Sequence, residues 1–179
     1  MQDRREEATR AEIDQTGEIE PLETKLGELE DKIYGSLNSW QKIELSRHPD
    51  RPYFLDYVKA IMTDFVELHG DRNYRDDPAI IGGLAEFRGR SVVVVGHQKG
   101  KDTEENVLRL WGMPHPEGFR KARRHFELAE RFGFPVVAFI DTKGAYPGDQ
   151  AEGRGQSVAI AENLMVMAGL KTPIVVVVT

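Results

Sequence analysis

The chain of 179 residues contains no cysteine, which excludes disulfides and thiolate metal sites. No apolar run approaches the roughly 18 residues of a membrane span. The opening Met1-Gln2-Asp3-Arg4-Arg5-Glu6-Glu7 leads into no signal-peptide apolar segment, so a cytoplasmic protein is expected. The five histidines, His48, His69, His97, His115 and His125, show no pair one helical turn apart, and no metal is expected. A basic face is also missing. Residues 1–34 carry eleven acidic and five basic side chains and the remainder nineteen of each sign, so the net charge of −6 sits in the leader and the body is neutral. That balance argues against a nucleic-acid footprint.

What is present reads as three regions. Residues 1–17 are polar enough to stay disordered. Residues 18–70 are expected to form a helical arm. Within it Ile19, Leu22, Leu26, Leu29 and Ile33 fall at helical spacing, as do Phe54, Val58, Ile61, Phe65 and Leu68 beyond the prolines Pro49 and Pro52. From residue 71 the period changes. Ile80–Phe87 and Ser91–Gln98 read as a hairpin joined through Arg88-Gly89-Arg90, and Lys99–Asn106 as a loop. Phe119, Ala122, Phe126, Ala129 and Phe132 mark a helix stopped by Gly133. Two further strands follow, Pro135–Ile140 and Pro173–Thr179, the second expected to be an interior strand whose valines are left exposed in this chain.

The first of these strands opens into Asp141-Thr142-Lys143-Gly144-Ala145-Tyr146-Pro147-Gly148, followed by a helix-forming stretch with Gly153 and Gly155. Strand, glycine turn and helix make a backbone-built site: glycines let main-chain N–H groups approach an anion or oxyanion. Familiar phosphate motifs fail, because Gly148–Gly155 has the P-loop glycine spacing without its Lys and Ser/Thr. Ser157 lies too far beyond the strand to be a nucleophile on a strand-to-helix turn and reads as a helical surface serine. Asp71, Asp76 and Asp77 read as turn and capping residues. Arg120, Lys121, Arg123 and Arg124 read as a basic cluster that steers phosphates, while Glu127, Glu130 and Arg131 on the same helix offer the reading of a solvated charged face.

His69-Gly70-Asp71-Arg72, Gly96-His97-Gln98-Lys99-Gly100, Met113–Ala122 and Asp141–Gly148, in this order, resemble the carboxyltransferase alpha subunit of bacterial acetyl-CoA carboxylase from about Leu22 to Thr179. The resemblance implies an α/β, crotonase-like β-β-α superhelix, truncated after residues 71–179, behind the helical arm. It implies transfer of carboxylate from carboxybiotin on a carrier protein to acetyl-CoA, giving malonyl-CoA for fatty-acid biosynthesis. The implied partners are a carboxyltransferase beta subunit, the biotin carboxyl carrier protein and biotin carboxylase. Gly144, Ala145, Tyr146, Pro147 and Gly148 are expected to wall the biotin site, with Lys143, Gln98 and Lys99 near substrate. No catalytic acid or base can be named, and the oxyanion glycines of the family are expected beyond Thr179, leaving the chain inactive alone. Lys143 replaces a proline of the family pattern, and Gly153 an acidic residue. Two other readings stand beside this one: a crotonase-type hydratase or isomerase, and a noncatalytic assembly module.

Overall fold

The computed structural model describes residues 19–48 and 50–179, so the expected disorder of residues 1–17 lies outside the described residues. The chain divides into two compact units, Met1–His48 and Pro49–Thr179. In the first, helix α1 covers residues 19–34 and α2 covers Ser39–Leu45, the latter closed at its start by a capping box between Asn38 and Gln41. Ile19, Leu22, Leu26, Leu29 and Ile33 form the expected stripe on α1, and all five are exposed.

The second unit holds α3 (Phe54–Ile61), β1 (Thr63–Glu67), β2 (Ile80–Phe87), β3 (Arg90–His97), α4 (Thr103–Leu108), a 3-10 turn (Leu110–Gly112), α5 (Pro116–Phe132), β4 (Val136–Ile140), α6 (Asp149–Gly153), α7 (Gln156–Gly169) and β5 (Ile174–Val178). One mixed sheet runs β1-β2-β3-β4-β5, antiparallel through β3 and parallel from β3 to β5. Strand alternation explains why the Val92–Val95 run is buried on both sides. Val92 and Val94 join Phe54, Val58, Met62 and Phe139 in one core, while Val93 and Val95 join Phe126, Ala129 and Val136 in the other. β5 forms an edge of the sheet, with Val175, Val176, Val177 and Val178 all exposed, as anticipated for this chain. None of the described helices is long and apolar enough to cross a membrane.

Three expectations need correction. The helix from Phe54 ends at Ile61, and Phe65 belongs to β1, which pairs antiparallel with β2. Pairing with the free edge of β2 overrides the helical spacing, and it places α3 and β1 inside the second unit instead of in an arm ending at residue 70. The segment Lys99–Asn106 is not all loop: Asp102 accepts the Glu105 N–H at 2.8 Å and starts α4. The stretch after Gly148 is two helices, broken at Arg154 and Gly155.

Candidate functional site

Strand β4 delivers Asp141 at its C-terminal end, at the edge of the core, and the chain turns there through residues 141–148 before α6. Asp141 is 7% exposed and binds two cations, Lys99 Nζ on Oδ1 and Arg51 Nη2 on Oδ2, each at 2.5 Å. Lys99 comes from the segment after β3, the strand neighbouring β4, so parallel pairing itself brings the two ends together. Two positive side chains on one carboxylate leave a local surplus of positive charge beside the turn.

The turn is fastened to the segment before α5 at two points. Thr142 Oγ1 donates to the Gly112 carbonyl at 2.6 Å and accepts the Gly144 N–H at 3.0 Å. The Tyr146 N–H donates to the Pro114 carbonyl at 2.9 Å. These bonds use the N–H groups of Gly144 and Tyr146 internally, so the main-chain donors expected to face a ligand cannot be those two. Among the described residues, no bond in this segment uses the N–H of Ala145, Gly148, Asp149 or Gln150. Gly144 has φ +143°, and a Cβ there would meet no atom within 4 Å. Its glycine is required by the backbone angle, while the space above it stays open. Gly148 is extended, and its side chain is absent for a different reason: a Cβ would lie 3.0 Å from the Tyr146 ring.

Tyr146 is half-buried and stacks on His115, with centroids 4.2 Å apart and planes inclined by 19°. His115 in turn gives its backbone N–H to Asp77 Oδ2 at 2.7 Å. Burial pushes the Asp77 carboxyl up to about 6, against the N–H groups of Ala79 and His115 that favour its charged form. Burial also draws the His115 imidazole below its ordinary value. Two residues further, the fully buried Glu117 receives Arg154 Nε at 2.5 Å, with Arg75 and Arg120 within 4 Å. Burial raises the Glu117 carboxyl, but the Arg154 hydrogen bond and the guanidinium charges hold it below the usual range. The turn therefore rests on α5 through a chain of packed and charged groups: Tyr146, His115, Asp77, and then Glu117 with Arg154 at the α6–α7 break.

Of the residues named from sequence, Lys143, Gly144, Ala145, Tyr146, Pro147, Gly148 and Lys99 gather at this turn. Gln98 does not present its amide there. It is 4% exposed, its Oε1 accepts the Leu55 N–H at 3.0 Å and its Nε2 donates to the Lys99 carbonyl at 2.7 Å, so the amide ties α3 to the end of β3. On α5, Glu127, Glu130 and Arg131 are exposed and make the solvated charged face, while the basic cluster is engaged in pairs. Arg120 pairs with Asp71, Lys121 is buried against Asp76 and the Asp77 carbonyl, Arg123 meets Glu162, and Arg124 donates to the Leu68, His69 and Gly70 carbonyls. Asp71, Asp76 and Asp77 do cap backbone N–H groups, as anticipated, and they also hold these cations. Ser157 is exposed on α7. Glu67, His69 and Asp76 converge with ligand atoms within 4.8 Å, a grouping no linear spacing could show, yet Lys121 Nζ already lies 2.5 Å from Asp76.

Sequence reasoning missed Arg51 and Trp111, and gave no role to Asp141 and His115 although both lie in the motifs it singled out. Arg51 and Asp141 are ninety positions apart. Trp111 lies in the 3-10 turn, with Lys143 Nζ 5.5 Å from its ring centroid. The one available signal was the charge of Asp141 at the end of an apolar strand, where an unpaired carboxylate would be costly.

Comparison with known proteins gives a consistent picture. A family model described as acetyl co-enzyme A carboxylase carboxyltransferase-like matches residues 1–179. An acetyl-coenzyme A carboxylase carboxyl transferase subunit alpha from Oceanobacillus iheyensis is 58% identical over 168 residues, 94% of this chain and 53% of the relative. The Vibrio cholerae subunit of the same name is also 58% identical over the same shares. The chain thus spans about half the length of these relatives. Among solved structures, a single-chain, multi-domain long-chain acyl-CoA carboxylase aligns with TM-score 0.59 at 22% identity, over 73% of this chain and 13% of that one. The transcarboxylase 12S hexamer core aligns with TM-score 0.59 at 24% identity, over 73% and 24%. At such identities the last two speak for the α/β fold alone.

Proposed function

The chain belongs to the acetyl-CoA carboxylase carboxyltransferase family, and from that premise we propose that it contributes the biotin-side wall of a carboxyltransferase that makes malonyl-CoA from acetyl-CoA for fatty-acid biosynthesis. The observation that carries the reading is the turn at residues 141–148: Gly144 at positive φ under open space, unused N–H groups at Ala145 and Gly148, and a surplus cation held by Asp141. Such a surface fits a planar ureido ring that carries a carboxylate. The backbone can come close at Gly144, the free donors can reach a ring oxygen, and Lys99 biases the field toward an anion.

Carboxybiotin, when bound, supplies the carboxylate that leaves the ureido nitrogen for the thioester's α-carbon, the proton of that carbon ending on the nitrogen. This chain's residues hold the ring, orient it through Tyr146 and Gly148, and keep the site positive. They include no assigned acid or base, in line with a reaction that depends on proximity and on stabilising developing oxyanions. The reading extends to a crotonase-like β-β-α superhelix in the full-length subunit and to a cytoplasmic assembly of a beta subunit, a biotin carboxyl carrier protein and biotin carboxylase. The second alternative, a CoA hydratase or isomerase, gains no support from the relatives' names, and the assembly-module reading needs no such turn.

The test is Gly144→Val in the full-length subunit assembled with its beta partner. Valine is strained at φ +143° and fills the space above the turn. Malonyl-CoA formation falls at least tenfold, while ATP-dependent carboxylation of the carrier and assembly by size-exclusion chromatography are unchanged. A variant that assembles and keeps wild-type transfer kinetics across carrier concentrations makes the turn a mere connection.

A further inference from the structure

The segment facing the turn carries backbone strain that packing alone does not explain. Leu110 and Trp111 adopt φ +53° and +56°, followed by Gly112 at +70°. Consecutive left-handed non-glycine residues are costly and persist where surrounding structure enforces a required geometry. Here the enforcement is visible. The Gly112 carbonyl is held by Thr142 Oγ1, the Gly112 and Met113 N–H groups bond to the Arg109 and Leu110 carbonyls, and a Cβ on Gly112 would lie 2.9 Å from Lys99. Yet the strained conformation does not bury the indole. Trp111 is 42% exposed, while Gly112 beside it is buried.

The exposed ring instead stands beside the turn, with the Lys143 ammonium 5.5 Å from its centroid. Lys143 is itself exposed, and among the described residues no carboxylate pairs with it. An exposed indole and an ammonium without a carboxylate partner thus lie together beside the open space over Gly144.

We propose that Trp111, from the segment facing the turn, and Lys143, on the turn itself, line the ring site together, the indole stacking a planar heterocycle on the face that the Lys143 ammonium leaves open and the ammonium receiving the carboxylate the heterocycle carries. This rests on the reading of the turn as the biotin-side wall and adds the residues that grip the ligand's face and charge. It also gives the strain a role: the left-handed run holds a large indole 42% exposed beside the turn. The Lys143 charge makes part of the affinity electrostatic, and that part weakens with salt.

The experiment uses the full-length subunit assembled with its beta partner and compares Trp111→Asn, Trp111→Phe and Lys143→Gln. Asparagine tolerates positive φ, so the backbone keeps its path while the ring is lost. Expected are a KM for the biotinylated carrier raised about fivefold to tenfold by Trp111→Asn and threefold or more by Lys143→Gln, with near-wild-type values for Trp111→Phe. The KM for acetyl-CoA stays unchanged in all three. The tryptophan emission that the wild-type assembly has and the Trp111→Phe assembly lacks, followed as a difference between biotinylated and unbiotinylated carrier, shifts saturably. Carrier KM values within twofold of wild type for both Trp111→Asn and Lys143→Gln, or no difference in emission at saturating carrier, overturn the proposal. If Gly144→Val is impaired while these variants are not, the turn assignment stands without this pair. An assembled wild-type enzyme without transfer activity overturns both.

Discussion

Replacing Glu117 by glutamine tests whether the charged support beneath the turn matters. The carboxylate is fully buried in the first turn of α5, where the helix dipole favours a negative charge, and it faces three guanidinium groups: Arg154 at 2.5 Å, Arg75 at 3.8 Å and Arg120 at 3.9 Å. Glutamine keeps the shape and one acceptor but removes the charge that balances them. Breaking a buried pair from one side typically costs about 3–5 kcal/mol. Arg75 is half exposed and Arg120 retains Asp71 as a second partner, so the lower end, about 3 kcal/mol, is expected. For a unit of this size that corresponds to a fall of roughly 10 °C in Tm. Replacing both partners, Glu117→Leu with Arg154→Met, leaves no unmatched charge between them and should recover much of the loss, giving a coupling of about 1–3 kcal/mol in a double-mutant cycle. Urea unfolding with calorimetry measures each term. A Glu117→Gln variant within about 0.5 kcal/mol of wild type, with no coupling to Arg154, would refute the reasoning and reduce the network to a surface ion pair.

Two other outcomes follow from buried geometry. Gly96→Ala places a Cβ 2.4 Å from Phe54 Cδ2 and 2.9 Å from Phe139 Cβ, so it should lose about 1–3 kcal/mol, whereas Gly153→Ala, with nothing within 4 Å, should be neutral or slightly stabilising; equal urea midpoints for the two would contradict the packing argument. The pH profile should expose two opposing buried groups. Asp77 titrates near 6 when folded against 3.8 ordinarily, so its contribution declines as pH rises through that window; His125 titrates near 4 against 6.5, so its contribution is lost as pH falls through the same range. Each amounts to about 3 kcal/mol, so they nearly cancel in the wild type. Asp77→Asn should uncover the His125 term, losing about 3 kcal/mol between pH 6.5 and 4 relative to its own neutral value, and parallel profiles for wild type and variant would show the cancellation to be absent.

The sequence alone determined strands β2 to β5, the α5 helix and the place of the turn, because those signals are local. Val92–Val95 is apolar on both faces and can only be a buried strand; Phe119, Phe126 and Ala129 repeat at helical spacing up to Gly133, which takes the left-handed conformation that ends α5. The glycine turn is legible since the chain must leave β4 there, and the motif order carried the family. Tertiary structure decided what local signals leave degenerate. Phe65 and Leu68 fit a helix by spacing and a strand by composition, and the open edge of β2 settled it. The charges of α5 could face water or carbonyls, and only the fold brought Asp71, Asp76 and the Leu68–Gly70 carbonyls over them. At the site the sequence supplied the turn, but whether an N–H is free or already spent depends on Thr142 and Pro114, which reach it through space. The same holds for Arg51 on Asp141 and for Trp111 beside Lys143. Pairings between residues tens of positions apart leave no period in the chain, because their partners are chosen by the parallel register of β3 and β4 and by the packing of α5, and not by neighbours in sequence.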